Sequence, residues 1–120
     1  MNRYLAESQK NFKQIQSHRR DFHKHAEIGF NEKRTAEKIA DYLSSLGLEV
    51  TTGIAKTGVV GLLRCKKGGK TIALRADIDA LPMEEKNNVP YASVNKGAAH
   101  MCGHDGHTAM LMETARLLSN

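Results

Sequence analysis

Ten consecutive residues, AAHMCGHDGH (98–107), hold three of the chain's six histidines, one of its two cysteines and an aspartate. Imidazole, thiolate and carboxylate are the groups that ligate divalent metals or move protons, so their density here points to a site. In locally extended chain, side chains two apart share a face, which would put His100, Cys102 and His104 on one side. Asp105 and His107 would then begin a following helix. A thiolate and an imidazole at that spacing can ligate one ion; the pair suits zinc or a neighbouring late transition metal, and added carboxylates admit manganese or cobalt. His100, Asp105 and His107 are then candidates for partners that orient the ligands. A lone cysteine is more often a small buried hydrophobe, and a lone histidine an ordinary hydrogen-bonded residue. Cys102 as a nucleophile with His104 as its base is a rival reading, against which stands the tendency of such groups to converge from distant segments.

A second cluster lies in RADIDALP (75–82), where the apolar run TIAL leads into Asp77 and Asp79. Read as a strand, this segment aims both carboxylates at one spot at its C-terminal end, where α/β sheets bind ligands. The plain alternative is that both aspartates close the strand as turn residues. A carboxylate at the rim of a core nevertheless needs a partner or a metal for its charge. His18, His23 and His25 fall into no such pattern and stay unassigned. Cys65 reads as structural.

The elements that must position these groups follow from periodicity. Leu5, Phe12, Ile15 and Phe22 form one stripe of an amphipathic helix over 3–25. Gly29 breaks that pattern, Asn31 is a plausible N-cap, and Ala36, Ile39, Ala40, Leu43 and Leu46 place a second helix over about 32–46, with Gly47 at its left-handed end. LEVTT, GVVGLLR and TIALRAD read as three strands, the last two joined by a hairpin at KKGGK (66–70). Residues 83–99 form a long polar loop of the kind that often serves function. A third helix over about 106–118 presents Met110, Leu111, Thr114, Ala115, Leu117 and Leu118 as a broad apolar face. Strands apolar on both sides imply an α/β fold with helices on the sheet faces. Three helices cover little more than one face, so residues 1–120 read as the first part of a larger α/β domain.

Composition narrows the function classes. The chain has 120 residues, 40% hydrophobic and 26% charged, as in an ordinary globular protein. Two cysteines make no disulfide framework, and the N-terminus lacks a signal-peptide pattern, so the expectation is a cytoplasmic protein with reduced thiols. No apolar run reaches the length of a membrane span. The net charge of +5 raises nucleic acid as a partner, but the basic residues are dispersed among acids and only 5% of residues are aromatic. A solvated surface is the better account, with no nucleic-acid or membrane partner.

HKHAEIGFNE, KTGVVGLL, TIALRADIDALP, PYAS and above all HMCGHDGHTAML resemble, in order and spacing, the N-terminal part of amidohydrolases related to aminoacylase. These include hippurate hydrolases, N-acyl-amino-acid deacetylases and auxin-conjugate hydrolases, a branch of the co-catalytic carboxypeptidase-like metallopeptidases. The resemblance implies a zinc-exopeptidase-like mixed-sheet catalytic domain, here without its lid domain. It implies two divalent ions (zinc, manganese, cobalt or nickel) in a complete site, and a small N-acyl amino acid or amide as substrate. It also implies a homodimer in the full-length family. By the same resemblance, Cys102 and His104 match two metal ligands, and Asp79 matches the catalytic-site aspartate that helps orient the centre. Asp77 stands where carboxypeptidase-like relatives place a histidine ligand, and His100 matches a recurrent position. Two departures, Ala26 in place of proline and AAHM in place of MHA, leave the ligands intact. The glutamate base and the remaining ligands that the resemblance implies are not found in the chain. The alternative is a stand-alone module that binds metal or a partner without hydrolysing amides.

Overall fold

The computed structural model describes residues 2–65 and 68–120. Its N-terminal stripe does not form one helix. It forms α1 (Arg3–Lys10), capped by Asn2 accepting from the Tyr4 amide, and α2 (Phe12–Lys24). Between them Asn11 leaves helical geometry, and its side-chain amide donates to Glu113 Oε2 at 2.7 Å. That polar anchor redirects the chain, so only the second half of the stripe reaches a core. Phe22 is buried and Ile15 half-buried, whereas Leu5 and Phe12 stay exposed.

The next helix, α3 (Lys33–Ser45), lies where its periodicity placed it. Its cap is different. The Glu27 carboxylate accepts from the Arg34 amide at 3.1 Å and the Thr35 amide at 2.8 Å, serving first-turn N–H groups that the Asn31 side chain does not reach. Arg34 in turn donates to both oxygens of Asp21, at 3.0 and 2.8 Å, and so pins α3 to α2. Gly47 ends the segment with φ 82°, the left-handed conformation expected of it.

Strands β1 (Glu49–Ile54) and β2 (Gly58–Leu62) pair antiparallel, with Glu49 opposite Leu62 and an irregularity between Thr52 and Ile54. α3 covers one face of this hairpin. A Cβ on Gly61 would lie 3.0 Å from both Leu43 Cδ1 and Leu48 Cδ2, so the absence of a side chain sets how closely helix and sheet approach. Ile54, Val60 and Leu62 are exposed.

The third strand does not form. Residues 71–79 join no ladder, and Ile72 and Leu74 are 81% and 55% exposed. β-Propensity supplies no neighbour, and among the described residues the sheet has only two strands. Pairing resumes at isolated bridges, Ile28 with Ala80 and Leu81 with Ala99. The hairpin expected at KKGGK falls partly on Lys66 and Lys67, outside the described residues.

The last helix, α4 (His104–Ser119), turns a different side inward from the expected face. It buries Asp105, Thr108, Ala109, Met112 and Glu113, while Met110 and Leu118 are exposed. This side lies against α2, α3 and α1, and its polar members are neutralised by partners described below. Phe22, Ile39 and Met112 make the main core, with Tyr42, Leu43, Val59 and Ile78 packed against it. A smaller cluster of Ala26, Ala80 and Ala98 underlies the segment carrying the aspartates. The fold is α/β, and no helix among the described residues is long and apolar enough to cross a membrane.

Candidate metal centre

Gly103 decides how the histidine-rich segment is displayed. Its φ of 102° lies in the left-handed region where a side chain is strained, and it turns the chain directly into α4. The extended alternation therefore ends at Gly103: His104 belongs to α4, while His100 and Cys102 precede the turn. His100 is buried, Cys102 is an exposed free thiol, and His104 is the half-buried first residue of α4.

The two aspartates converge on one of these rings. His104 Nδ1 lies 2.9 Å from the Asp79 carbonyl oxygen and 3.0 Å from Asp79 Oδ1. Both are acceptors, so Nδ1 carries the proton and Nε2 keeps its lone pair. Nε2 points toward Asp77, whose Oδ2 is 4.0 Å away. Asp77 also pairs with Arg75, and its carbonyl accepts from Thr108 Oγ1 at 3.1 Å, which fixes the 77–79 segment to the first turns of α4. Neither aspartate lies in a strand; Asp79 meets one nitrogen of the His104 ring and Asp77 lies nearer the other. Their side chains are about two-fifths exposed, at 41% and 40%. His107 is exposed, with its ring centroid 5.9 Å from that of His104.

An imidazole whose Nδ1–H is held by a carboxylate and a carbonyl has the geometry of a metal-ligating histidine, because the tautomer and ring orientation are set before an ion arrives. The chemistry of Cys102 and His104 Nε2 fits a zinc-like ion. Among the described residues, however, no three His, Cys, Asp or Glu side chains come together as a metal cage.

Beside this spot lies a buried network that the linear sequence did not mark. Asp105, 1% exposed, accepts through Oδ2 from His23 Nδ1 at 2.7 Å and from Arg19 Nε at 2.8 Å. Its Oδ1 accepts from the Gly106 amide at 2.9 Å. The second nitrogen of His23 lies 3.0 Å from Glu85 Oε1. His23 is separated from these partners by 82 and 62 positions, so no local spacing could reveal the link. Burial pushes the Glu85 carboxyl up, but the hydrogen bonds from His23, the Ser93 amide and Asn87 outweigh it and hold the group below its ordinary value. His100 is 4% exposed, and neither ring nitrogen has a hydrogen-bond partner among the described residues. Burial holds its imidazole below the usual range and favours the neutral ring.

Residues 73–120 match Peptidase family M20/M25/M40. Over that stretch the chain is similar to M20/M25/M40 peptidases. It is 46% identical over 102 residues to the hippurate hydrolase of Campylobacter jejuni, covering 85% of this chain and 27% of that protein. It is 45% identical over 101 residues to the N-acyl-L-amino acid amidohydrolase of Geobacillus stearothermophilus, covering 84% and 27%. Its fold is similar to that of the Bacillus subtilis YXEP protein, described as a dinuclear metal binding peptidase from the M20 family. That match has a TM-score of 0.84 and 42% identity, over 89% of this chain and 30% of the other. The chain thus spans about a quarter of the length of the hydrolases it matches. The matched 73–120 stretch contains both clusters read from the sequence, RADIDALP and HMCGHDGH.

Proposed function

We propose that this chain supplies one wall of a dinuclear divalent-metal site for hydrolysis of the amide bond of N-acyl amino acids or related small amides. Cys102 and His104 are its ligands, and Asp79 orients His104. The observation that carries this reading is the grip of Asp79 on His104 Nδ1, which leaves Nε2 free to ligate. The similarity to a hippurate hydrolase and an N-acyl-L-amino acid amidohydrolase supports the substrate class.

When bound, divalent ions supply Lewis acidity, polarising an amide carbonyl and making a bound water acidic. The chain's own residues prepare the donors. Asp79 holds the His104 proton on Nδ1, Thr108 anchors the backbone of Asp77, and Gly103 brings Cys102 and His104 to the end of one helix. Two donors without further ligands are expected to hold metal weakly.

Two measurements test the proposal. Zinc, manganese and cobalt uptake by the wild-type chain should fall in Cys102→Ser and His104→Ala, and also as acid protonates the ligands. Equal metal content in all three proteins would end the ligand assignment. N-acetyl and N-benzoyl amino acids should be hydrolysed by a longer form carrying downstream residues; inactivity of both forms with metal supplied would end the hydrolase reading. Metal uptake without hydrolysis by the longer form would instead fit a stand-alone metal-binding or interaction module.

A further inference from the structure

The buried network around His23 joins three parts of the molecule that are far apart in sequence. From α2 come His23 and Arg19; from the start of α4 comes Asp105; from the 83–99 loop comes Glu85. The side chains of His23, Asp105 and Glu85 are 5%, 1% and 3% exposed, so their charges must be balanced locally. Both ring nitrogens of His23 face carboxylate oxygens, at 2.7 and 3.0 Å. A neutral ring has one N–H and would set a lone pair against one of those oxygens; a ring that donates from both nitrogens satisfies both. It also balances the charge, with Arg19 and His23 against Asp105 and Glu85.

The loop is strapped to α2 around this point. The Val94 amide donates to the Lys24 carbonyl, and Asn95 Nδ2 donates to the Ala26 carbonyl, each at 2.9 Å. Glu85 accepts from the Ser93 amide and so closes the loop on itself. The Tyr91 ring meets His23 edge-on, and the guanidinium carbons of Arg19 and Arg20 lie 5.4 and 4.8 Å from its centroid. The other titratable neighbour is His100, whose ring centroid is 6.3 Å from that of His23. At the opposite end of the network Asp105 directly follows His104.

We infer that His23 is a positioning residue, an imidazolium clamp that couples the 83–99 loop to the Cys102–His104 turn by holding Glu85 and Asp105 at once. Order in the loop and order in the ligand-bearing turn are then linked, and the linkage is reciprocal: an ion that fixes the turn steadies the loop, and a loosened loop weakens the ion. The metal half of this inference rests on the ligand assignment proposed above. The clamp itself does not.

The test uses the 120-residue chain, its His23→Gln and Glu85→Gln variants, and Zn(II) alone as the probe. Nitrogen NMR of wild-type His23 should show both ring nitrogens protonated, a signature that a merely packed, neutral ring would not give. In metal-free protein both variants should exchange the Ser93 and Val94 amides about tenfold faster, the size expected when a hydrogen bond to a charged group is lost. Zn(II) should slow those amides in wild type and should do so less in either variant. Glu85→Gln leaves the His23–Asp105 contact in place, so it carries the exchange test if His23→Gln does not fold. A singly protonated His23, unchanged loop exchange in the folded variants, or Zn(II) bound with no effect on the loop would overturn the inference. Failure of wild type to bind Zn(II) would overturn the ligand assignment and the coupling to it, while the NMR and metal-free exchange would still decide the clamp.

Discussion

Replacing Asp79 by alanine removes one of the two oxygens that hold His104 Nδ1 and spares the other. The carboxylate oxygen at 3.0 Å is lost, but the residue's own carbonyl at 2.9 Å remains. Losing the partner of a metal-ligating histidine typically weakens metal binding by ~10–100-fold. The retained carbonyl and the 40% exposure of the Asp79 side chain place this case near the lower limit, about tenfold or ~1.4 kcal/mol. Asp79→Asn keeps a neutral acceptor at the same place, so its loss should fall between alanine and wild type. Zn(II) competition against a chelator would give the affinities, and thermal unfolding of the metal-free proteins would give the control. A partly exposed side chain outside the core should change metal-free stability by no more than about 0.5 kcal/mol. Unchanged Zn(II) affinity in Asp79→Ala would refute the orienting role. A metal-free stability loss of about 2 kcal/mol or more would show that Asp79 supports the fold instead.

Three further outcomes follow from the packing. Phe22→Ala should cost roughly 3–5 kcal/mol in urea unfolding, because the ring is 2% exposed and shares its core with Ile39 and Met112. Glu27→Ala should cost about 1–2 kcal/mol in the same assay by stripping the first turn of α3 of the acceptor for its Arg34 and Thr35 amides. For pH, the hydrogen bond from Arg116 leads in holding the Glu113 carboxyl below its ordinary value of 4.5, assisted by Asn11 and opposed by burial. A carboxyl whose folded value is depressed contributes its full stability above the unfolded value and loses it as pH falls through the folded one. Stability from Glu113 should therefore fade below pH 4.5, and Glu113→Gln should flatten that part of an acid-unfolding curve.

How much of this was legible in the sequence depends on how local each cause is. The α3 helix and Gly47 were readable because periodicity and a left-handed terminus are properties of a short window. Its cap was misplaced, because the acceptor comes from Glu27, seven and eight residues before the amides it serves. The inward face of α4 was also misread. Apolar side chains alone marked Met110 and Leu118, whereas Asp105 and Glu113 can be buried because Arg19, His23, Asn11 and Arg116 meet them. TIALRAD has the composition of a strand, but strand formation needs hydrogen bonds from a neighbour.

The sequence by itself determined which groups are available for chemistry: Cys102 and His104 two positions apart, and Asp77 and Asp79 after an apolar run. It also carried the resemblance to metal-dependent amidohydrolases, since donor type and spacing are written residue by residue. Only the tertiary structure decided what each donor does. A left-handed Gly103 turns the chain between Cys102 and His104, and Asp79 reaches across 25 positions to fix one tautomer of His104. His23, unassigned by any motif, becomes the centre of a buried charge network. Ligation needs a directed lone pair, and direction is set by hydrogen-bond partners that come from distant parts of the chain.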